Sequence, residues 1–324
     1  MRVNSITSII RQKQTFLDKI DKFVSWKVIA KFIKHSIDTN CNAIGRPAYP
    51  TLKMFRVMLL QFWYNLSDRE ISYALFDRVS FRKFAGFSFD IETPSYSTIC
   101  RFRNRFFAVG LDVILFNLVN KYLNMIGVIT RDGIIVDSTI VKSSRKPRKT
   151  INIKDKKHAI FYSEDKDAKW TVKANKPYYG YKLHLATDLN HGFIVVGKVT
   201  SANRSDTKEI IPLLEKISLE KGAIILADKG YCSTKNRESI ANLGYVPGIM
   251  YRSKRSKLLS KLEQKINSVI SPVRSAVERT FGTLKRGYGF YRTKYLGIAK
   301  TRGQFFFSAL AFNLKKAANF IINY

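Results

Sequence analysis

Acidic residues are scarce in this chain. Its 324 residues hold 24 Asp+Glu against 57 Lys+Arg, a formal net charge of +33. A folded chain so basic repels itself unless a polyanion neutralises it. The imbalance therefore points to nucleic acid, bound through phosphate neutralisation with counterion release. The competing explanation is a generally Lys-rich proteome. Cysteine is scarce too. Cys41, Cys100 and Cys232 are scattered, with no CxxC pair and no even set, which argues against a disulfide framework and a cysteine zinc site. No apolar run approaches the ~18 residues of a membrane span; the tail Phe305–Leu314 runs straight into Lys315 and Lys316. A signal-peptide core is missing, since Arg11 and Lys13 follow closely on Ile9 and Ile10. The chain also lacks an internal repeat and a long Gly/Ser/Pro linker. These absences leave the cytoplasm as the expected compartment, with no membrane partner.

What is present divides near residue 129. Residues 1–128 read as helical, with apolar side chains at helical spacing. Thr51–Tyr64 is apolar almost all round and is expected to be a buried helix. Ser67-Asp68-Arg69-Glu70 forms a capping box that opens a helix through about Phe76. Pro94-Ser95 opens another over Tyr96–Phe107, with Ser95 or Ser97 as its cap. That helix sets Thr98, Arg101 and Arg105 on one face and Ile99, Phe102 and Phe106 on the other. The polar face suits phosphates or base edges; the alternative is an ordinary solvated face.

From residue 129 the texture is mixed. Gly133–Val136, Tyr181–Thr187, Phe193–Thr200, Ala223–Ala227 and Tyr245–Met250 read as five strands, the second and third joined by a hairpin turn at Leu189–Gly192. Helices are expected from Asp206 to about Lys221 and over Ser233–Leu243. The order predicts a mixed α/β layer fold, a five-stranded sheet with flanking helices. An insertion, 141–178, separates the first two strands. Its first part, Lys142–Lys157, carries 8 Lys/Arg against one Asp and reads as a loop, as does Arg252–Lys265 with 6 Lys/Arg against one Glu.

Two aspartates close apolar runs. Asp137 ends Gly-Ile-Ile-Val-Asp and Asp228 ends Ala-Ile-Ile-Leu-Ala-Asp. Carboxylates there stand at the rim of the sheet, where ligands of α/β folds collect. If the strands are neighbours, the pair repels unless a cation lies between them, and Mg²⁺ favours such oxygen ligands. Taken singly, each could merely cap a turn. Farther on, Arg274, Glu278 and Lys285 share one helical face beside the apolar stripe Val277, Phe281 and Leu284. Glu278 is the one acid between Arg274 and Arg302. It reads either as a helix partner of Arg274 or as a third metal ligand, with Arg274 and Lys285 on phosphate.

At this point the chain resembles bacterial insertion-sequence transposases of the DDE type, in the IS-five group. The likeness covers nearly its whole length. The helical part carries LSDREISYALFDRVSFRKFAGF and TPSYSTICRFRNRF, and the later part GIIVDSTIV, YYGYKLHLATD, VTSANRSDTKEI, ADKGYCSTKNRESI and RSAVERTFGTLKRGYGFYRTKYLG. The resemblance implies an all-α DNA-binding region, helix-turn-helix-like within 67–107, followed over 129–324 by an RNase H-like catalytic domain. It makes Asp137, Asp228 and Glu278 the catalytic and metal-holding acids. Around the glutamate the family pattern is Tyr, two residues, Arg, three residues, Glu, six residues, Lys; Arg274, Glu278 and Lys285 fit it, and Ser271 stands at the tyrosine position. Asn203 and Asp206 fall in the family's Ala-Asn-x-x-Asp block as supporting residues. Lys182 and His184 share a strand face that could point at the site, Lys182 toward DNA and His184 in support. The implied cofactor is Mg²⁺, replaceable by Mn²⁺, as two ions. The implied partners are double-stranded transposon ends and target DNA, met as a homodimer. Two other readings stay open: a transposase-derived DNA-binding protein without catalysis, and an RNase H-like nuclease that cuts without joining.

Overall fold

A computed structural model describes residues 15–37, 47–154, 157–163, 165–253 and 258–322. Cys41, the N-terminal residues Ile9 to Lys13 and parts of both basic runs (155–156 and 254–257) lie outside them. Two compact units emerge. One takes Met1–Gln61, Leu66–Arg105 and Leu314–Tyr324, the other Phe62–Asn65 and Phe106–Asn313.

The first unit is helical. Its helices are α1 (Phe16–Phe23), α2 (Trp26–Ile37), α3 (Thr51–Trp63), α4 (Asp68–Asp77), α5 (Val79–Ala85) and α6 (Tyr96–Ala108). The expected apolar helix is α3, with Met54, Phe55, Val57, Met58, Leu59 and Leu60 buried. The Ser67 capping box closes as the sequence predicts. Glu70 N donates to Ser67 Oγ at 3.2 Å and Ser67 N to Glu70 Oε2 at 2.7 Å. At α6, Thr98 N donates to Ser95 Oγ at 3.4 Å. Gly86, left-handed at φ 80°, ends α5, a conformation costly for a residue with a Cβ. Arg103 is buried and held by the Asp68 carboxylate. That pairing meets the requirement that a buried charge find a partner.

The second unit is built on a sheet. Helix α7 (Leu111–Met125) precedes β1 (Gly133–Lys142), and then come β2 (Arg148–Lys154), β3 (Lys157–Ser163), β4 (Lys169–Lys173), β5 (Lys176–Asp188) and β6 (Ile194–Ser201). After them follow α8 (Ile210–Leu214), β7 (Ile224–Ala227), α9 (Thr234–Asn242), β8 (Val246–Ile249), α10 (Lys261–Gly287) and α11 (Ile298–Ile322). The main sheet runs β4-β5-β1-β7-β8, with β6 also on β5. β1 is antiparallel to β5 and parallel to β7; β7 is parallel to β8. Alternation along β1 turns Ile134 and Val136 into a core with Ala186, Val196, Leu213, Ile225, Ala227, Ile240 and Ile249.

Several expectations need correction. The sheet has six strands rather than five. The added strand is β4, inside the insertion and beyond the part read as a loop. Within the part read as a loop lies β2, which pairs antiparallel with β3 in a sheet of their own. Main-chain hydrogen bonding there does not need an apolar face, so charge alone misleads. Asp137 does not end its strand, because β1 continues to Lys142 along β5 after β7 has stopped at Ala227. The helix from Asp206 is broken. A 3-10 turn, Asp206–Lys208, precedes the short α8. Pro212 accounts for the break, as its ring would strike the carbonyl four residues earlier in a continuous helix. The second basic run is partly helix: α10 begins at Lys261 behind a Ser260/Glu263 capping box and continues through Pro272. The apolar tail Phe305–Leu314 lies in α11 and is buried along its length. Among the described residues no single helix is long and apolar enough to cross a membrane.

Candidate active site

The parallel pairing of β1 with β7 sets the site. Val136 stands opposite Ala227, so the next residues, Asp137 on β1 and Asp228 just past the end of β7, are neighbours. Each carboxylate is steadied by the backbone beside it: Ser138 N donates to Asp137 Oδ1 at 2.7 Å and Lys229 N to Asp228 Oδ1 at 2.7 Å. Asp228 also caps the 3-10 turn Lys229–Tyr231, so the turn-capping role and the site role coexist in one side chain.

Helix α10 brings a cation to both. Its buried stripe, Val277, Phe281 and Leu284, is the one the spacing predicts, and Thr280 Oγ1 donates to the Gly192 carbonyl at 3.2 Å. So anchored, the helix places Arg274 between the aspartates. Nη2 lies 3.0 Å from Asp137 Oδ2 and Nη1 3.4 Å from Asp228 Oδ1. Burial pushes the Asp137 carboxyl up. Arg274 and the Ser138 amide pull it back, Asp228 pushes it up again, and the net direction is upward.

Glu278, one turn beyond Arg274, is exposed and has no hydrogen bond or ion pair among the described residues. The structure thus joins two of the three expected acids through Arg274 and leaves the third exposed, one turn along the same helix. Among the described residues no group of three His, Cys, Asp or Glu is placed to hold one metal ion. The donor chemistry nevertheless fits a hard divalent cation. Two carboxylate oxygens converge on one positive group, and magnesium is commonly held by one or two protein carboxylates. Both terminal nitrogens of Arg274 face carboxylates here.

The supporting residues form a second polar cluster. Lys182 Nζ lies 3.1 Å from Asp206 Oδ1 and donates to the Arg204 carbonyl at 2.7 Å. His184 is fully buried, with Nε2 3.1 Å from Thr200 Oγ1 and Nδ1 3.7 Å from Asp206 Oδ1. Burial lowers its pKa to about 4 despite Asp206, so its ring is neutral at pH 7. Asn203 is exposed and accepts from Ser201 Oγ at 2.9 Å.

Sequence reasoning missed Glu209 and Tyr231. Glu209 is buried under Lys198 at 2.6 Å and Arg204 at 2.5 Å. Burial would raise its pKa, but the two cations overturn that and lower it. Tyr231 is buried three residues after Asp228. Burial first, then the fields of Asp206, Asp137 and Asp228, holds its hydroxyl well above the usual phenol range. It lies within the fields of both the paired aspartates and the second cluster. Its position after Asp-Lys-Gly was the available signal.

Lys285 is half-buried, and burial and Lys173 lower its pKa. In the helical unit, Thr98, Arg101 and Arg105 line an open groove of about 360 Å³ with Tyr49, Met54 and Phe102. Arg101 is exposed, whereas Arg105 donates to the Ile37 carbonyl.

A mixed sheet that sets two aspartates side by side under a basic helix defines a carboxylate-centred α/β catalytic unit. Residues 129–314 match the family described as the transposase DDE domain, more than half of the chain, and the chain belongs to that family. Residues 4–105 match a further family described as a transposase domain (DUF772). The protein is a DNA transposase, a class whose general activity is DNA cleavage and strand transfer. Solved structures similar to it include a piggyBac transposase synaptic complex with hairpin DNA (11% identity, 97% of this chain and 77% of that chain covered, TM-score 0.46). Others are a pre-cleavage Mos1 transpososome (10%, 82% and 97%, 0.22) and a Mos1 mariner paired-end complex with Mn (10%, 88% and 99%, 0.21).

Proposed function

We propose that this chain is an insertion-sequence transposase of the IS-five group that cuts and joins DNA at terminal inverted repeats, using Asp137, Asp228 and Glu278 to hold divalent metal in an RNase H-like domain. The observation that carries the reading is the convergence of Asp137 and Asp228 on one cationic group at the rim of the sheet. Residues 129–314 also match a DDE family, which generally uses divalent metals. Glu278 completes the set by its place on α10, one turn from Arg274. Mg²⁺, or Mn²⁺ in its stead, would supply activation of the attacking oxygen and neutralisation of charge at the phosphodiester, as paired metals do in such displacements.

The chain's own residues do the rest. Asp137 and Asp228 are pre-set by the Ser138 and Lys229 amides, so little reorientation is needed on loading. Lys285, held half-buried beside Lys173, gains by meeting a phosphate. Residues 1–128 form the DNA-binding region, and the groove at Thr98, Arg101 and Arg105 suits backbone or base-edge contact. The working form is a homodimer on double-stranded DNA, in the cytoplasm at the nucleoid.

The test pairs a gel shift with a cleavage assay on DNA flanking the coding region. Asp228→Ala is expected to bind those ends like the unaltered protein and to release no cut or joined product. Metal-dependent cutting by that variant would refute the assignment. Cut ends without joined product from the unaltered protein would mark a hydrolytic nuclease.

A further inference from the structure

Arg274 is built into the aspartate pair from inside. Its side chain is 11% exposed and its Nε is buried without a hydrogen-bond partner among the described residues. Nη1 also lies 3.7 Å from Met250 Sδ. A lysine or arginine that serves only DNA would extend into solvent. This one spends both terminal nitrogens on Asp137 and Asp228. Glu278, on the same helix, faces water instead.

We propose that Arg274 is a resident counter-ion that competes with divalent metal for Asp137 and Asp228, and that a DNA phosphate which takes the guanidinium frees the pair for metal. The proposal rests on the reading of those aspartates as metal ligands. A guanidinium and a divalent ion cannot share the same two oxygens, because like charges a few ångströms apart in a partly buried site repel strongly. Removing the guanidinium without a new partner would leave it buried and uncompensated. A phosphate supplies that partner, since the planar fork of arginine matches two phosphate oxygens at once. DNA and metal then bind cooperatively, and by linkage each strengthens the other by the same factor. The cutting centre would assemble on DNA and stay closed off it.

The experiment measures Mn²⁺ binding to the full chain, from the loss of the free-ion electron paramagnetic resonance signal. The unaltered protein, Arg274→Gln and Arg274→Lys are compared with and without a duplex taken from the DNA flanking the coding region, after subtraction of binding to that duplex alone. Thermal melts by circular dichroism establish that each variant is folded. Without DNA, Arg274→Gln is expected to bind Mn²⁺ about ten-fold more tightly than the unaltered protein. DNA should tighten binding to the unaltered protein about ten-fold and leave the variant little changed. Arg274→Lys, which keeps the charge but loses the fork, should fall between them. Equal DNA-free affinity in the unaltered protein and Arg274→Gln would overturn the counter-ion role while leaving the metal site standing. If Arg274→Gln does not fold, Arg274→Lys decides, and an affinity equal to the unaltered protein's overturns the role. Undiminished Mn²⁺ binding after Asp137→Asn and Asp228→Asn are added to Arg274→Gln would instead overturn the metal-ligand reading.

Discussion

At the scale of single residues, two buried groups carry opposite pH signatures. Asp112, in the first turn of α7, is buried, and neither carboxylate oxygen has a hydrogen-bond partner among the described residues. Burial raises its pKa from 3.8 to about 6. The folded state therefore holds a proton that the unfolded chain has released, and stability falls as pH rises from about 4 to about 6. Asp112→Asn is expected to raise the melting temperature at pH 7, by a free energy on the order of 2–3 kcal/mol, and to change little at pH 3.5. A lower melting temperature at pH 7 would contradict this. His184 acts the other way. Its pKa falls from 6.5 to about 4, so the folded state refuses a proton that the unfolded chain takes, and stability falls as pH drops through that window. His184→Gln should flatten the acid side of the melting profile; an unchanged acid slope would show that the histidine is not the group responsible. Asp137 and Asp228 could be singled out in the sequence because each follows a short apolar run suited to a buried strand. The partner of Arg274 could not. Its four-residue spacing from Glu278 favours a helix pair or a phosphate contact, and only the packing of α10 on the sheet turns the guanidinium toward the aspartates.

At the scale of elements, local chemistry was readable and tertiary pairing was not. The Ser67–Glu70 box predicted the start of α4 because it satisfies backbone donors within four residues, with no help from elsewhere. Ser67→Ala is expected to cost about 1 kcal/mol, read as a shift in the urea midpoint. A neutral result would mean that tertiary contacts alone fix that helix end. The strands of the insertion were missed because their alternations are short and flanked by Lys and Arg, Ile151 and Ile153 in β2 and Trp170 and Val172 in β4, and their pairing, β4 to β5 and β2 to β3, is set by hydrogen bonding to a neighbour. The role of α11 was equally hidden. Gly197 of β6 faces Phe305 so closely that an added Cβ would run into the ring. Gly197→Ala should therefore destabilise by roughly 1–3 kcal/mol. Wild-type stability in that variant would show that the helix gives way at little cost.

At the scale of the whole molecule, charge dominates. A net charge of +33 means that DNA affinity should fall steeply with salt, by about 10³ to 10⁵ between 50 and 200 mM if some 6–10 phosphates are neutralised. A shallow slope in a filter-binding series would assign the charge to something other than DNA. Fold and function meet where β1 and β7 lie side by side, and that is also where the account is most directly exposed. The decisive measurement is cutting of transposon-end DNA by Asp228→Cys in Mg²⁺ and in Mn²⁺, since a thiolate is a poor ligand for the harder magnesium and a better one for manganese. Loss of cutting in Mg²⁺ with recovery in Mn²⁺ is the predicted result. Cutting in Mg²⁺ at the rate of the unaltered protein would show that the Asp228 side chain touches no metal.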